Sequence, residues 1–348
     1  FDGMKQTLRT VSNTVELRKV ERLTRNYRMS KGVLDVANAI LKVLKDCFPN
    51  AIEYAPQEYA MKNLGLQVVL VDWDAARLTK VKFGVSQAVI YTNSRHADTP
   101  TDSITKWIGD HPFILSSLDS KGLEFEDVLI HALDCSRKAW DPKAGSFEAL
   151  SLLRELYVAI TRAQQRVVIL TSGKHKALAE FFEKLDSDVV TVEPSAILVE
   201  FQKTTTDDEW FVKATELLGD GKFEIAMGCF KASKRFDWLF RARGRYFVEL
   251  GKADYALEAF RNAAGLFFES SEYKLCLDTL AEVAELDWSD KDDEILEEAL
   301  IKEPDYLPRQ ETVKFAIRRG RWNVISTSDL MNESIAHVFE KERENPTI

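Results

Sequence analysis

Residues 154–166 read RELYVAITRAQQR and run directly into Val167-Val168-Ile169-Leu170. Leu153, Leu156, Tyr157, Ile160 and Ala163 recur at helical spacing before the β-branched run takes over. The stretch therefore predicts an amphipathic helix feeding a buried strand. Arg162 falls near the C-terminal end of that helix. Its charge has two readings: a cation favoured by the negative end of a helix, or a rigid guanidinium fork suited to a phosphate.

Upstream of this stretch the two periodicities alternate. Ser30 is a candidate N-cap for a helix whose apolar face is Val33, Leu34, Ala37, Ile40, Leu41 and Leu44, ending near Cys47-Phe48-Pro49. Tyr27 and Arg28 then lie just before the positive N-terminal end of that helix. Residues 67–71 predict a buried strand ending at Asp72-Trp73, and 83–92 (FGVSQAVIYT) a second strand. Helical spacing follows at Ile104, Trp107 and Ile108, a third strand starts within 112–115, and 128–133 form another apolar run. A polar loop, 134–149, leads into the opening stretch. Beyond it a helix is expected over 177–185 and strands over 189–192 and 197–201. Residues 1–22 carry only a weak helical rhythm. Alternation of this kind predicts an α/β domain over 1–202, with a parallel sheet covered on both faces and ligands at the carboxyl ends of the strands.

Residues 116–125, SSLDSKGLEF, occupy one such loop. Gly122 permits close approach of backbone to a ligand, and Glu124 offers a carboxylate able to accept two hydrogen bonds from a diol.

LYVAITRA resembles motif VI of the UvrD/Rep-like superfamily-one helicases, SSLDSKGLEF resembles their motif V, and LTRNYRMSKGVLDVAN at 23–38 resembles motif IV. The three stand in the family's order. The resemblance implies a RecA-like domain of the P-loop NTPase type that binds ATP with Mg2+. Arg28 and Arg162 would reach the γ-phosphate, Tyr27 would stack on the adenine, and Glu124 would hold the ribose beside Gly122. Ser116, Ser120 and Lys121 would contact single-stranded nucleic acid. Family members carry T-x-H at the start of motif V, where this chain has Ser116 and Leu118. Serine keeps the hydroxyl; leucine cannot replace imidazole. Nucleotide handling is therefore better supported than DNA handling.

Phosphoryl transfer also needs a phosphate-cradling loop, a lysine and an acidic Mg2+ ligand. No G-x4-G-K-[ST] occurs in the sequence. The resemblance places those parts, with the Mg2+ ligands, on an upstream RecA-like domain, so that Phe1 reads as a cut just after motif III and this piece alone is not expected to hydrolyse ATP.

A second domain is expected over 207–348. Thr204 to Asp208, TTTDD, reads as a linker doubling as a helix start. Trp210, Ala214, Leu217, Ala226 and Phe230 fall on the tetratricopeptide (TPR) pattern, and Phe240, Gly244, Phe247, Ala256 and Phe260 repeat it. Gly221 and Gly251 mark equivalent turns 30 residues apart, against a usual period of about 34. Further helices are expected over 273–286, 294–300, 312–317 and 334–339. An ordinary helical bundle is the alternative. The combination of the two domains, together with FPNAIEY at 48–54, FGVSQAVI at 83–90 and TTDDEWFVKATELLGDGKFEIAMGCF at 205–230, resembles the eukaryotic TPR-and-ankyrin-repeat proteins with a UvrD-like helicase region over nearly the whole chain.

The 348 residues are 45% hydrophobic and 30% charged with a net charge of -9. Residues 1–200 sum to zero and 201–348 carry all nine negatives, which disfavours the helical half as a nucleic-acid platform. Cys47, Cys135, Cys229 and Cys276 are dispersed without metal-ligand spacing, so no metal site is expected, and they read as reduced thiols of an intracellular protein. No apolar run approaches the ~20 residues needed to span a bilayer, so no membrane partner is expected. Two functions stay open: the C-terminal half of an ATP-dependent DNA or RNA helicase, or a helicase-derived scaffold that binds protein partners through residues 207–348.

Overall fold

The computed structural model describes residues 24–50, 57–62, 68–73, 82–92, 109–131, 147–172, 176–185, 189–191, 201–287 and 289–303. The expectations for 1–22, 104–108, 134–146, 312–317 and 334–339 lie outside them. The chain divides into two units. One holds 1–81, 86–108 and 114–202; the other holds 203–348 together with Lys82–Val85 and Gly109–Phe113.

The first unit is mixed α/β. Strands β1 (Arg25–Ser30) and β2 (Tyr59–Lys62) form a parallel pair. A six-stranded sheet is built from β3 (Val68–Trp73), β4 (Gln87–Tyr91), β5 (Ile114–Ser116), β6 (Phe125–His131), β7 (Ala163–Ser172) and β8 (Val189–Thr191). Its order is β5-β4-β6-β7-β3-β8, with every pairing parallel. Consecutive residues of β4 (Ala88, Val89, Ile90), β6 (Val128, Leu129, Ile130) and β7 (Val167, Val168, Ile169) are fully buried. Because neighbours on a strand point to opposite faces, the central strands are covered on both sides. Helices α1 (Lys31–Cys47) and α2 (Phe147–Ile160) pack on each other, and α3 (Lys176–Lys184) packs on β7.

One polar row crosses this core. Gln87, Asp127 and Arg166 are register partners on β4, β6 and β7. Arg166 makes two hydrogen bonds to the Asp127 carboxylate, and Gln87 donates to Asp127 at 3.1 Å and to the Phe201 carbonyl at 2.6 Å. Each charge thus enters the core already partnered.

Several expected boundaries move. β4 begins at Gln87, not at residue 83, and residues 109–113 precede β5 as part of the other unit. α2 stops at Ile160, a turn follows at Thr161-Arg162, and Ala163 already belongs to β7. Ala163 had the right spacing to extend the helix, but Phe125 N–H donates to the Arg162 carbonyl at 3.0 Å and fixes the ladder there. Phe201 is helical, where the pattern predicted the end of a strand; 197–200 lie outside the described residues.

The second unit contains consecutive helices α4 (Asp207–Gly219), α5 (Phe223–Ala232), α6 (Phe236–Glu249), α7 (Ala253–Glu269), α8 (Tyr273–Ala284) and α9 (Asp290–Lys302). Each packs against the next. Thr206 and Glu209 close a capping box at the start of α4. Four of the turns share one closure. Gly221, Lys234, Gly251 and Ser271 have φ of 72°, 61°, 69° and 63°, and the following N–H donates to the carbonyl five residues back: Lys222 to Leu217, Arg235 to Phe230, Lys252 to Phe247, Glu272 to Phe267. This is the Schellman arrangement. Glycine announced it at two of the four; at Lys234 and Ser271 a side chain adopts the left-handed region.

Candidate functional site

Asn26, Tyr27 and Arg28 lie on β1, the strand that runs directly into α1. The buried Asn26 side chain accepts from the N–H groups of Arg28 at 3.0 Å and Met29 at 2.9 Å, and donates to Glu58 at 2.7 Å. At the same place the β1–β2 register shifts. Such a bulge re-aims the residues around it. Tyr27 stands 61% exposed, and Arg28 turns towards β6 and β7.

The Arg28 fork is occupied at both arms: Nη1 donates to Glu124 at 2.8 Å and Nη2 to the Thr161 carbonyl at 3.2 Å. Ser30 adds a bond from its Oγ to the Gln165 carbonyl at 2.8 Å. It makes no side-chain cap on α1; its hydroxyl ties β1 to β7 instead. Gln164 donates to the second oxygen of Glu124 at 3.1 Å.

Glu124 immediately precedes β6 and Arg162 immediately precedes β7, and the first residues of those strands, Phe125 and Ala163, are register partners. The two side chains are thereby fixed on neighbouring strand starts, at the amino-terminal edge of the sheet. The loop expected at the carboxyl ends of the strands starts there, at Ser116, but delivers Glu124 to the opposite edge. Ser116 lies beside Tyr91, which lies beside His131 at the far end of β6, so 117–124 travels back along the sheet by about 20 Å at ~3.3 Å per strand residue. Gly122 has φ of 81° and open space where a Cβ would stand. The turn demands its backbone conformation; nothing among the described residues crowds it.

Arg162 is half-buried. It donates to the Val158 carbonyl at 3.2 Å, the Thr161 hydroxyl at 3.3 Å and the Leu123 carbonyl at 3.4 Å, all neutral acceptors. Among the described residues it makes no ion pair. Burial, and then the nearby charge of Arg28, push its pKa down, while Glu124 and Tyr157 oppose that shift. For Glu124, burial pushes the pKa up, but the hydrogen bonds from Arg28 and Gln164 and the charges of Arg28 and Arg162 hold it below its ordinary value. Burial and then Glu58 raise the pKa of Tyr157, which senses both arginines. Arg28 and Arg162 both act on the Glu124 carboxylate, and a pair of guanidiniums is a composition suited to an oxyanion.

The structure thus brings Arg28, Glu124 and Arg162 together, with Tyr27 next to Arg28 and Gly122 in the turn before Glu124. Ser116, Ser120 and Lys121 are placed differently. The Ser116 hydroxyl bonds Asp119, accepting also from its N–H, and the Ser120 hydroxyl donates to the Ser117 carbonyl. Both serines are buried and spend their hydroxyls inside the loop; Lys121 is exposed. Leu118, where the helicases carry histidine, is 72% exposed.

Gln164, Thr161 and Glu58 were not anticipated. Gln164 lies two residues past Arg162, which puts it on the same side of a strand, but that inference needs β7 to begin at Ala163. No group of three or more metal-ligating side chains occurs among the described residues. No helix among them is long and apolar enough to cross a membrane. Cys229 and Cys276 are buried, and burial pushes each thiol up to about 12.

No protein-family model matches the chain. The chain is similar to TPR and ankyrin repeat-containing protein 1 of Homo sapiens, 22% identical over 276 residues, 63% of this chain and 9% of that protein. It therefore spans less than a tenth of the length of that protein.

Proposed function

We propose that this chain is a protein-interaction module whose binding surface is the helical unit α4–α9. The observation that carries this reading is the run of consecutive helices, each packed on the next and closed by one repeated turn. Stacked helical pairs expose side chains along a continuous surface suited to an extended or helical peptide. The likeness to a protein named for its TPR and ankyrin repeats supports the same reading. Glu285, Asp287, Glu294, Glu297 and Glu298 face outward and favour a basic segment. Glu282 and Asp292, in the same acidic half, are instead paired with Arg241, Arg245 and Arg261. In cross-linking mass spectrometry of the full chain with its captured partners, cross-links should concentrate on the exposed Lys231, Lys234 and Lys252. Cross-links confined to lysines of the α/β unit would overturn the reading.

A second reading is favoured by Arg162, a half-buried cation whose partners are all neutral. In it the α/β unit is the RecA-like C-terminal half of a UvrD-like ATP-dependent helicase. Arg28 and Arg162 stabilise the γ-phosphate, Tyr27 stacks on adenine and Glu124 takes the ribose. Another RecA-like domain supplies the lysine loop and the Mg2+ ligands. Single-stranded DNA or RNA would then depend on Lys121 and other exposed groups more than on Ser116 and Ser120. In a protein containing both domains, Arg28→Ala and Arg162→Ala should each lower ATP turnover by about 10³-fold. Unchanged turnover in both variants rejects the assignment.

A further inference from the structure

We propose that the Arg241–Glu282 pair, joining α6 to α8, is a receptor for a carboxamide, the side chain of a Gln or Asn in a bound peptide. The inference rests on the reading of α4–α9 as a peptide-binding surface and names the chemistry that surface selects.

Glu282 on α8 is shared by two arginines of α6. Its Oε1 accepts from Arg241 Nη2 at 3.1 Å and from Arg245 Nη2 at 2.6 Å. Elsewhere in the same unit an arginine grips a carboxylate side-on. Arg235 donates from Nε at 3.0 Å and from Nη2 at 2.8 Å to the two oxygens of Asp237, and Arg261 does the same to Asp292 at 3.0 Å and 2.7 Å. Arg241 makes only the Nη2 half of that pattern. Its Nε and the Glu282 Oε2, which would form the other half, are both buried and have no hydrogen-bond partner among the described residues. The Nε1 of Trp238, whose ring centre lies 5.4 Å from the Arg241 guanidinium carbon, is in the same condition. The bond from Arg245 accounts for the difference, because it draws on Oε1 and holds the carboxylate out of side-on register.

Buried donors and a buried acceptor left unpaired within one cluster cost free energy that a completing group offsets. That group must accept from Arg241 and donate to Glu282. A carboxylate meets Glu282 with like charge, and an ammonium meets two guanidiniums and has nothing to accept with. A carboxamide is neutral and carries both a carbonyl oxygen and N–H groups. A Ser or Thr hydroxyl also does both, but it is tied close to its own backbone. Arg241 and Glu282 are only 4% and 10% exposed, so the group has to reach inward on a longer stem. Its way in lies beside Arg245, the most exposed of the three at 36%, whose one hydrogen bond among the described residues is to Glu282.

The test selects peptides from a random phage-displayed library on the full chain and measures the synthetic peptides by fluorescence polarisation. Selected sequences should share a Gln or Asn at one position, and changing it to Glu or to Met should each weaken binding by about tenfold or more. The 15N–1H resonance of Arg241 Nε should move when the selected peptide binds and stay in place with its Met counterpart. Arg241→Lys keeps the charge and removes the Nε–H, so it should bind both peptides equally; where that variant fails to fold, the resonance of the wild-type chain decides. Peptides that bind without a Gln or Asn preference, that share Ser or Thr instead, or that leave the Arg241 resonance unmoved overturn the carboxamide receptor and leave the peptide-binding reading standing. If no peptide binds the chain, both fall.

Discussion

Arg28 and Glu124 meet at 2.8 Å although 96 residues separate them in the chain. Neither segment aims at the other locally. The contact exists because a bulge at Asn26 turns Arg28, and because the segment after β5 runs back along the sheet to set Glu124 beside the start of β7.

The pair should be visible in the titration of Glu124. Burial opposes ionisation, yet hydrogen bonds from Arg28 and Gln164 and the two arginine charges depress the folded pKa. For a depressed carboxylate the stabilisation is present above the unfolded pKa of about 4.3 and disappears as pH falls through the lower folded value. Both side chains are more than a third exposed, so the contribution is at most ~1 kcal/mol. Arg28→Met should raise the Glu124 pKa, read by carboxyl 13C NMR. An unmoved midpoint means that the pair does not form in solution.

Asn26→Ala should cost about 1–3 kcal/mol, because two backbone N–H groups lose their acceptor. It should also raise the Glu124 pKa, since Arg28 loses its aim. Asn26→Asp keeps an acceptor for those N–H groups but sets a second carboxylate against Glu58. Urea unfolding reads the stability, and a wild-type midpoint for Asn26→Ala would remove the bulge from the account.

Two glycines within helices should respond with opposite signs. Helix propensity alone makes Gly→Ala favourable by up to ~1 kcal/mol. At Gly265 of α7 an added Cβ meets nothing within 4 Å, so Gly265→Ala should stabilise. At Gly244 of α6 the added Cβ falls 2.4 Å from the Phe260 ring. Gly244→Ala should therefore destabilise by about 1–3 kcal/mol. Thermal unfolding of the two variants decides it; a gain at both positions would mean that α6 and α7 are not packed this closely.

Glu282 on α8 accepts from Arg241 at 3.1 Å and Arg245 at 2.6 Å on α6. Arg241 is only 4% exposed. Glu282→Ala strands that buried cation and should cost about 3–5 kcal/mol. Arg245, 36% exposed, leaves the buried pair intact when removed, so Arg245→Ala should cost no more than ~1 kcal/mol. Equal losses in denaturant unfolding would refute the distinction.

Local physics was legible in the sequence. The apolar face from Val33 to Leu44, the start of α1 after Ser30 and its end at Cys47, the Thr206 capping signal and the Gly221 and Gly251 turns are each fixed by side-chain spacing or a backbone preference within a few residues. Motif resemblance also put Arg28, Glu124 and Arg162 on one list. Tertiary structure decided the rest. The helix-to-strand change at Ala163 depends on pairing with Phe125, and the left-handed turns at Lys234 and Ser271 are held by helices on both sides, with no glycine to mark them. The inward turn of Glu282 and Asp292 required partners on other helices. Ser116 and Ser120 looked available until the loop used their hydroxyls. Spacing along the chain specifies which face of an element is buried; the sheet order β5-β4-β6-β7-β3-β8 specifies which ends adjoin, and that order arises from contacts between segments far apart in sequence.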